Sequence, residues 1–363
     1  MNWNTYLHSV REQVEKSPQL IKDRSVFDFS YLPQEPLMRD EAKSLIKVML
    51  EFESTGLVEH QAIIGTRGSG KTMTVKHLQR MLQQSADLDV FYVNCREHNT
   101  SFKIFAHFLG VQPRGVGLEE LYERFRQATT RRTVVILDEI DLMSLKDRRR
   151  EILYFLSRSD RPYLVVMLCN SPQVLKDLDP ATRSSLQPVP LHFRNYNAEQ
   201  LGEILRDRAT RGLHSWDEGM LAQIAAMTTQ LANSDARVAI KTLQYVVMAP
   251  GEALSACFER ARRDVVFDLI TDLSDANLLV LWAVSTDAHG LAKDVYRRYC
   301  RLSADYRAKP FSYMYYYTSL SYLQSTGVVL LAVTKVERAY TNRVMLTCDR
   351  GLVGQICELR FGH

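Results

Sequence analysis

The stretch Ile63-Ile64-Gly65-Thr66-Arg67-Gly68-Ser69-Gly70-Lys71-Thr72, IIGTRGSGKT, joins an apolar run to a helical pattern through a glycine-rich loop. Gly65 to Thr72 match G-x-x-x-x-G-K-[ST]. Gly65, Gly68 and Gly70, with Thr66, Arg67 and Ser69 between them, let successive backbone N–H groups converge on phosphates. Lys71 brings a mobile positive charge to the outer phosphates, and Thr72 offers its hydroxyl to Mg²⁺. The setting agrees: HQAII (60–64) reads as a short strand before the loop, and Val75, Leu78, Met81 and Leu82 mark one side of a helix after it. ATP or ADP with Mg²⁺ is therefore the expected ligand. What the binding is used for has to come from the rest of the chain.

Outward from the loop, DVFYVNC (89–95), TVVILDE (133–139), PYLVVMLCN (162–170) and PVPLHF (188–193) are further short β-rich runs separated by helical patterns. That alternation predicts a mainly parallel sheet with helices on both faces. Val134 to Leu137 are apolar without a break, as a strand buried on both sides requires. The run ends in two carboxylates: Asp138 for the Mg²⁺ shell and Glu139 to orient or polarise the attacking water. Asn170, at the end of the next run, either positions that water or caps the turn into Pro172. Between about 198 and 268 the β-runs stop and helical spacing takes over, which predicts a small all-helical domain. There Asp235 caps a helix, and Arg237 either reaches the nucleotide or lies solvated on the surface. The run Arg148-Arg149-Arg150 reads as a solvated face. After about 270, three helical stretches precede VVLLAVT (328–334) and NRVMLTC (342–348), joined by a polar tip: the order of a winged helix.

The bulk numbers fit two or three compact domains: 363 residues, 46% hydrophobic and 24% charged, neither disordered nor fibrous. No apolar run approaches the ~20 residues of a membrane span, and the polar start is unlike a signal peptide, so a cytoplasmic location is expected. The six cysteines are scattered, with no C-x-x-C pair, and Cys95 and Cys169 read as small buried hydrophobes. The net charge of +4 is compatible with nucleic acid without demanding it. Eleven Lys and Arg against eight Asp and Glu lie from residue 270 on, so most of the excess sits in the last quarter.

At this point the chain resembles the archaeal initiators of DNA replication, AAA+ ATPases related to origin-recognition-complex subunits and the licensing loader. VFDFSYLPQEPLMRDEA (26–42) looks like the family's adenine-side box. VFYVNCREHNTSFKIFAHFLG (90–110) and PRGVGLEELYERF (113–125) resemble the stretch with its initiator-specific insertion, and LDEIDLM (137–143) resembles its second ATP motif. LCNSP (168–172), SSLQPVPLHFRNYNAEQLGEIL (184–205) and SDARVAIKTL (234–243) are similar to its sensor 1, arginine-finger and sensor 2 regions, in family order. The resemblance covers roughly residues 24 to 360. It implies an N-terminal segment (1–23), an α/β AAA+ P-loop domain (24–196), a helical lid (197–268) and a winged-helix domain (269–363). It makes Asn170 sensor 1 and Arg237 sensor 2, and places Pro33, Arg39 and Tyr196 around the base. At the arginine-finger position this chain has Ser185, with Arg183 the nearby substitute. Slow, self-contained hydrolysis with long-lived ADP is the expectation.

The resemblance further implies contact with duplex DNA through the winged helix and the insertion. The third helix, about Pro310 to Gly327, would be the recognition helix. Leu320, Leu323 and Tyr316 or Tyr317 should face inward, with Ser312, Tyr315, Thr318 and Ser319 outward. At least two of Tyr313, Tyr315, Tyr316 and Tyr317 should be buried. Arg307 and Lys309 before the helix, Lys335, Arg338 and Arg343 in the wing, and Lys103 and Arg114 in the insertion are the candidate DNA contacts. The implied function is an ATP-dependent initiator that binds origin duplex and recruits or loads the replicative helicase, with paralogous subunits as further partners. A second reading is a regulatory or signalling P-loop ATPase whose winged helix binds protein or promoter DNA.

Overall fold

The computed structural model describes residues 20–33, 39–85, 87–112, 114–144, 147, 149–170, 172–287, 290–336 and 339–362. The chain divides into two compact units, at residue 243.

The first unit runs α1 (Asp40–Thr55), β1 (Gln61–Ile64), α2 (Lys71–Ser85), β2 (Leu88–Asn94), α3 (Ser101–Phe108), α4 (Leu118–Ala128), β3 (Arg132–Asp138), α5 (Glu151–Ser157), β4 (Tyr163–Cys169), α6 (Gln173–Lys176), α7 (Pro180–Leu186), β5 (Val189–His192), α8 (Ala198–Gly212) and α9 (Glu218–Leu231). The unit boundary falls inside the next helix, α10 (Ala236–Met248). Five parallel strands lie in the order β2-β3-β4-β1-β5. Side chains alternate across a strand, so β3 serves two cores at once. Val134 and Ile136 pack with Leu45, Met49 and Phe52 of α1 and with Val75, Leu78 and Leu82 of α2. Val135 and Leu137 face Phe105, Leu121, Phe125, Ile152 and Leu153 from α3, α4 and α5. Helices on both faces follow from that double burial, and Cys95 and Cys169 are buried in the second layer.

His60 stitches the start of β1 to its neighbours. Val165 N–H donates to His60 Nδ1 (3.1 Å), and Val189 N–H donates to the His60 carbonyl (2.8 Å). The ring is buried, which lowers its pKa to about 4. A neutral imidazole with its proton on Nε2 matches an accepting Nδ1.

Helix starts carry the expected chemistry. Asn197 and Gln200 form a capping box at α8, and Asp217 accepts from Gly219 and Met220 at α9. Arg208 of α8 is buried and donates to the carbonyls of Val26 and Asp28 with its guanidinium over the Tyr31 ring, tying residues 26–31 to that helix. Of the expected N-terminal segment, 1–19 lie outside the described residues.

The second unit contains α11 (Leu254–Thr271), α12 (Asp275–Ser285), α13 (Ala292–Asp305), α14 (Tyr313–Ser325), the antiparallel pair β6 (Val329–Val336) and β7 (Ala339–Leu346), and α15 (Arg350–Phe361). Leu278, Val280, Val295, Tyr299, Leu320, Leu323, Val329 and Val344 share its core with Leu352 and Ile356. Leu291 bridges Arg343 antiparallel, so the chain before α13 adds an edge to the hairpin as a winged helix does.

Three expectations are corrected here. Ser319 does not face outward: it is buried, and its hydroxyl donates to Asn277 Oδ1 (2.6 Å), because α12 packs over that side of α14. Of the four tyrosines only Tyr316 is buried, donating to the Ala292 carbonyl (3.0 Å). Tyr313 is 42% exposed, and Tyr315 and Tyr317 are half-buried. The strands also run into the expected polar tip, KVERAYT (335–341), through Val336 and from Ala339. Helix α15 was missed, although Asp349 capping Leu352 N–H and the spacing Leu352, Val353, Ile356, Cys357 announce it.

Candidate nucleotide site and basic surfaces

β1, β4 and β3 lie side by side, so Gly65, Asn170 and Asp138 emerge at neighbouring strand ends. Gly68 and Gly70 have φ of +74° and +84°, the left-handed region that glycine enters without a Cβ clash. A Cβ on Gly68 would lie 2.1 Å from Asp235 Oδ1, and one on Gly70 2.2 Å from the Tyr196 hydroxyl. The loop is thus pressed between the helical region and Tyr196. Thr66 Oγ1 donates to Asn195 Oδ1 (2.5 Å), and Asn195 Nδ2 donates to Asn233 Oδ1 (3.1 Å). Ser69 is buried, its hydroxyl donating to the Thr66 carbonyl (2.8 Å).

Lys71 is buried, and its ammonium donates to the carbonyls of Gly65 (2.7 Å) and Thr66 (2.9 Å) and to Asn170 Oδ1 (3.1 Å). Desolvation lowers its pKa to about 8, against the opposing pull of Asp138, Asp141 and Glu139. Thr72 Oγ1 and the Tyr92 hydroxyl each donate to Asp138 Oδ2 (2.8 Å). Asp138 is 1% exposed, and burial raises its pKa despite those two donors. Glu139 sits at φ +52° with its carboxylate 3.3 Å from Arg96 Nε and 3.9 Å from Arg67 Nη2. Arg237 is half-buried, and its Nε donates to Asp235 Oδ1 (2.9 Å), just before its own helix. Pro33 is buried. Arg39 lies 3.6 Å over the Tyr196 ring and donates to the Arg194 carbonyl (2.9 Å), while its Nε and Nη2 are buried with no hydrogen-bond partner among the described residues.

These residues fit a nucleoside triphosphate with its Mg²⁺. The loop would accept no side chain at Gly68 or Gly70, a buried ammonium donates its hydrogen bonds to neutral oxygens, and Arg39 keeps orphaned donors beside Gly70. The Thr72–Asp138 pair offers the hard oxygen ligands a divalent cation takes. Tyr92, Arg96, Asn195 and Asp141 were missed by sequence reasoning. Only Asp141 had a local signal, as a third carboxylate, three positions after Asp138 in LDEIDLM. The solvated-face reading of Arg148 to Arg150 holds for Arg149 and fails for Arg150, half-buried at φ +48° with its Nε buried and unpartnered; Arg148 lies outside the described residues.

Where the resemblance leads one to expect an arginine finger, the Ser185 hydroxyl lies 2.8 Å from that of Ser157, and Arg183 is exposed. Lys103 in α3 and Arg114 are exposed on the first unit. In the second unit Arg307 (φ +53°), Lys309, Lys335 and Arg343 are exposed, Ser312 caps α14, and Arg343 pairs with Ala332 across the hairpin. Arg338 lies outside the described residues. No helix among the described residues is long and apolar enough to cross a membrane.

The AAA domain family matches residues 59–176, which hold the phosphate loop, Asp138, Glu139 and Asn170. Along most of its length the chain is similar to archaeal proteins named ORC1-type DNA replication protein. It is 25% identical to one from Archaeoglobus fulgidus, covering 96% of this chain and 93% of that one. It is 26% identical to one from Sulfolobus acidocaldarius, covering 93% of each. Among solved structures, the Aeropyrum pernix ORC1 protein in complex with DNA superposes with a TM-score of 0.71 over 95% of this chain and 98% of that one, at 23% identity. The Pyrobaculum aerophilum Cdc6p crystal structure does so at 0.58 over 94% and 100%, at 19% identity. The fold expected from the sequence, a parallel-sheet AAA domain with further helices and a winged helix, is the fold observed.

Proposed function

We propose that this homologue of archaeal ORC1-type DNA replication proteins is an AAA ATPase that binds origin duplex DNA and initiates replication. The observation that carries the reading is the convergence of two hydrogen-bonded groups on the phosphate loop. Lys71 donates to Asn170, and Thr72 and Tyr92 donate to Asp138, within a chain similar to those proteins nearly end to end.

Within that site Lys71 and the N–H groups of Gly65 to Thr72 would bind the phosphates, and Arg39 and Tyr196 would border the base. Thr72 and Asp138 would hold Mg²⁺, which when bound neutralises charge developing on the transferred phosphoryl group. Glu139 would polarise water, Asn170 would place it, and Arg237 would report the nucleotide's presence to the helical lid. Two features favour slow, switch-like turnover. Glu139 is engaged by Arg96 and Arg67, and Ser185 supplies no cation where a neighbouring subunit's site would take an arginine. Regions 24–196, 197–268 and 269–363 would serve as ATPase domain, lid and DNA-binding domain. The exposed Arg307, Lys309, Lys335 and Arg343, with Arg338, Ser312 and Tyr315, and Lys103 and Arg114 on the first unit, would contact the duplex. The replicative helicase and paralogous initiators are the expected partners, in the nucleoid.

Footprinting on origin-proximal duplex of the host chromosome tests this. Sequence-selective protection should weaken with salt, and alanine at Lys335 or Arg343 should each reduce the log–log salt slope by about 0.9 for every phosphate left unneutralised. Absence of selective protection at moderate salt would refute the reading. It would favour the second one, a regulatory ATPase whose winged helix binds protein, which draws support from Tyr313 and Met314, 42% and 71% exposed on α14.

A further inference from the structure

Asp141 stands in the short turn Ile140–Leu142 just past the β3 carboxylates, and its two oxygens have different surroundings. Oδ2 accepts from the backbone N–H of Asn170 (3.4 Å) and from its side-chain Nδ2 (3.2 Å). Oδ1 is buried with no hydrogen-bond partner among the described residues. On the opposite side of the same amide, Asn170 Oδ1 accepts from the Lys71 ammonium (3.1 Å). An amide has one donating end and one accepting end. The reverse orientation would set the NH₂ against an ammonium and the carbonyl against a carboxylate, and neither bond could form. A carboxylate accepts only, so Asp141 admits a single orientation.

We propose that Asp141 is a positioning residue of this site: it fixes the Asn170 amide so that its oxygen faces Lys71 and the phosphate loop, and it acts on hydrolysis through Asn170. The inference rests on reading the site as an ATPase. It separates Asp141 from Asp138 and Glu139, whose proposed roles are toward the cation and the water. It also explains why a third carboxylate is kept in a buried, charge-dense turn, where Glu139 adds repulsion and each desolvated charge is unfavourable.

The test combines single-turnover hydrolysis, nucleotide affinity by titration calorimetry, and the side-chain amide resonances of Asn170 in the nucleotide-free protein, assigned by their loss in Asn170→Ala. Asp141→Ala should lower the hydrolysis rate by about 10- to 100-fold, the usual effect of removing an orienting partner. Affinity for ATP should stay within about threefold, because a negative charge is being removed from a phosphate site. Asp141→Ala combined with Asn170→Ala should be no slower than Asn170→Ala alone. Asp141→Asn, whose amide oxygen accepts the same two bonds, should recover most of the loss and serves also if the alanine variant fails to fold. The Asn170 amide protons should shift in Asp141→Ala and return in Asp141→Asn. Rate losses that multiply in the double variant, equal losses of affinity and rate, or unmoved Asn170 resonances would each overturn the proposal. If the unsubstituted protein failed to hydrolyse ATP, the ATPase reading would fall, while the resonance comparison would still decide whether Asp141 orients Asn170.

Discussion

Replacing His60 by asparagine isolates one buried titration. His60 accepts Val165 N–H through Nδ1, and asparagine's Oδ1 occupies nearly the same place, so the bond survives while the ionisable ring is removed. The folded-state pKa of His60 is lowered to about 4 by burial, against ~6.5 in the unfolded chain. Between these values the unfolded chain binds more protons than the folded one. The ring therefore leaves stability untouched above pH ~6.5 and erodes it as pH falls from there toward 4. At pH 5 the ratio (1 + 10^1.5)/(1 + 10^−1) is ~30, equivalent to ~2 kcal/mol, whereas at pH 7.5 the loss is below ~0.1 kcal/mol. Urea unfolding of both proteins at the two pH values is the assay. Every other titration is common to both, so the unsubstituted protein should lose ~2 kcal/mol more than His60→Asn on acidification. Equal losses would show that His60 takes up its proton in the fold, and the stitching of β1 to β4 through a neutral ring would be wrong.

Two further outcomes follow from the loop and its carboxylates. Gly68→Ala should cost about 1–2 kcal/mol for the left-handed backbone alone, and its Cβ would also displace Asp235. Melting temperature and fluorescent-nucleotide affinity should both fall, and an unchanged affinity would refute the packed-loop account. Glu139→Gln should bind ATP within about threefold of the parent yet hydrolyse it at least ~100-fold more slowly. Comparable hydrolysis would remove Glu139 from the water-activating role.

What was legible in the sequence was whatever chemistry is local in the chain. The phosphate loop, the apolar run ending at Asp138 and Glu139, and the order of helices and hairpin after residue 270 are each written within short stretches of neighbouring residues, and the strands appear where those runs stand. What was not legible depends on residues far apart. Tyr92 reaches Asp138 only because β2 pairs with β3 in register. Asp235 reaches Gly68 only because the helical region folds back onto the loop. Ser319 looked like an outward position on α14, and the packing of α12 decided otherwise. Helix α15 had a local signal that was passed over, since its cap and apolar spacing are plain in the sequence.

The strand order carries a consequence for how the chain is made. β1 is flanked by β4 and β5, whose residues come roughly a hundred or more positions later, so the strand that leads into the phosphate loop has no partner in the sheet until those are synthesised. Closing so long a segment is slow compared with forming the local helices. On the ribosome, Lys71 would therefore emerge well before Asn170 could meet it. Nucleotide capture then marks the moment the sheet closes, and a chain truncated before residue 163 would carry the whole loop motif and bind nothing.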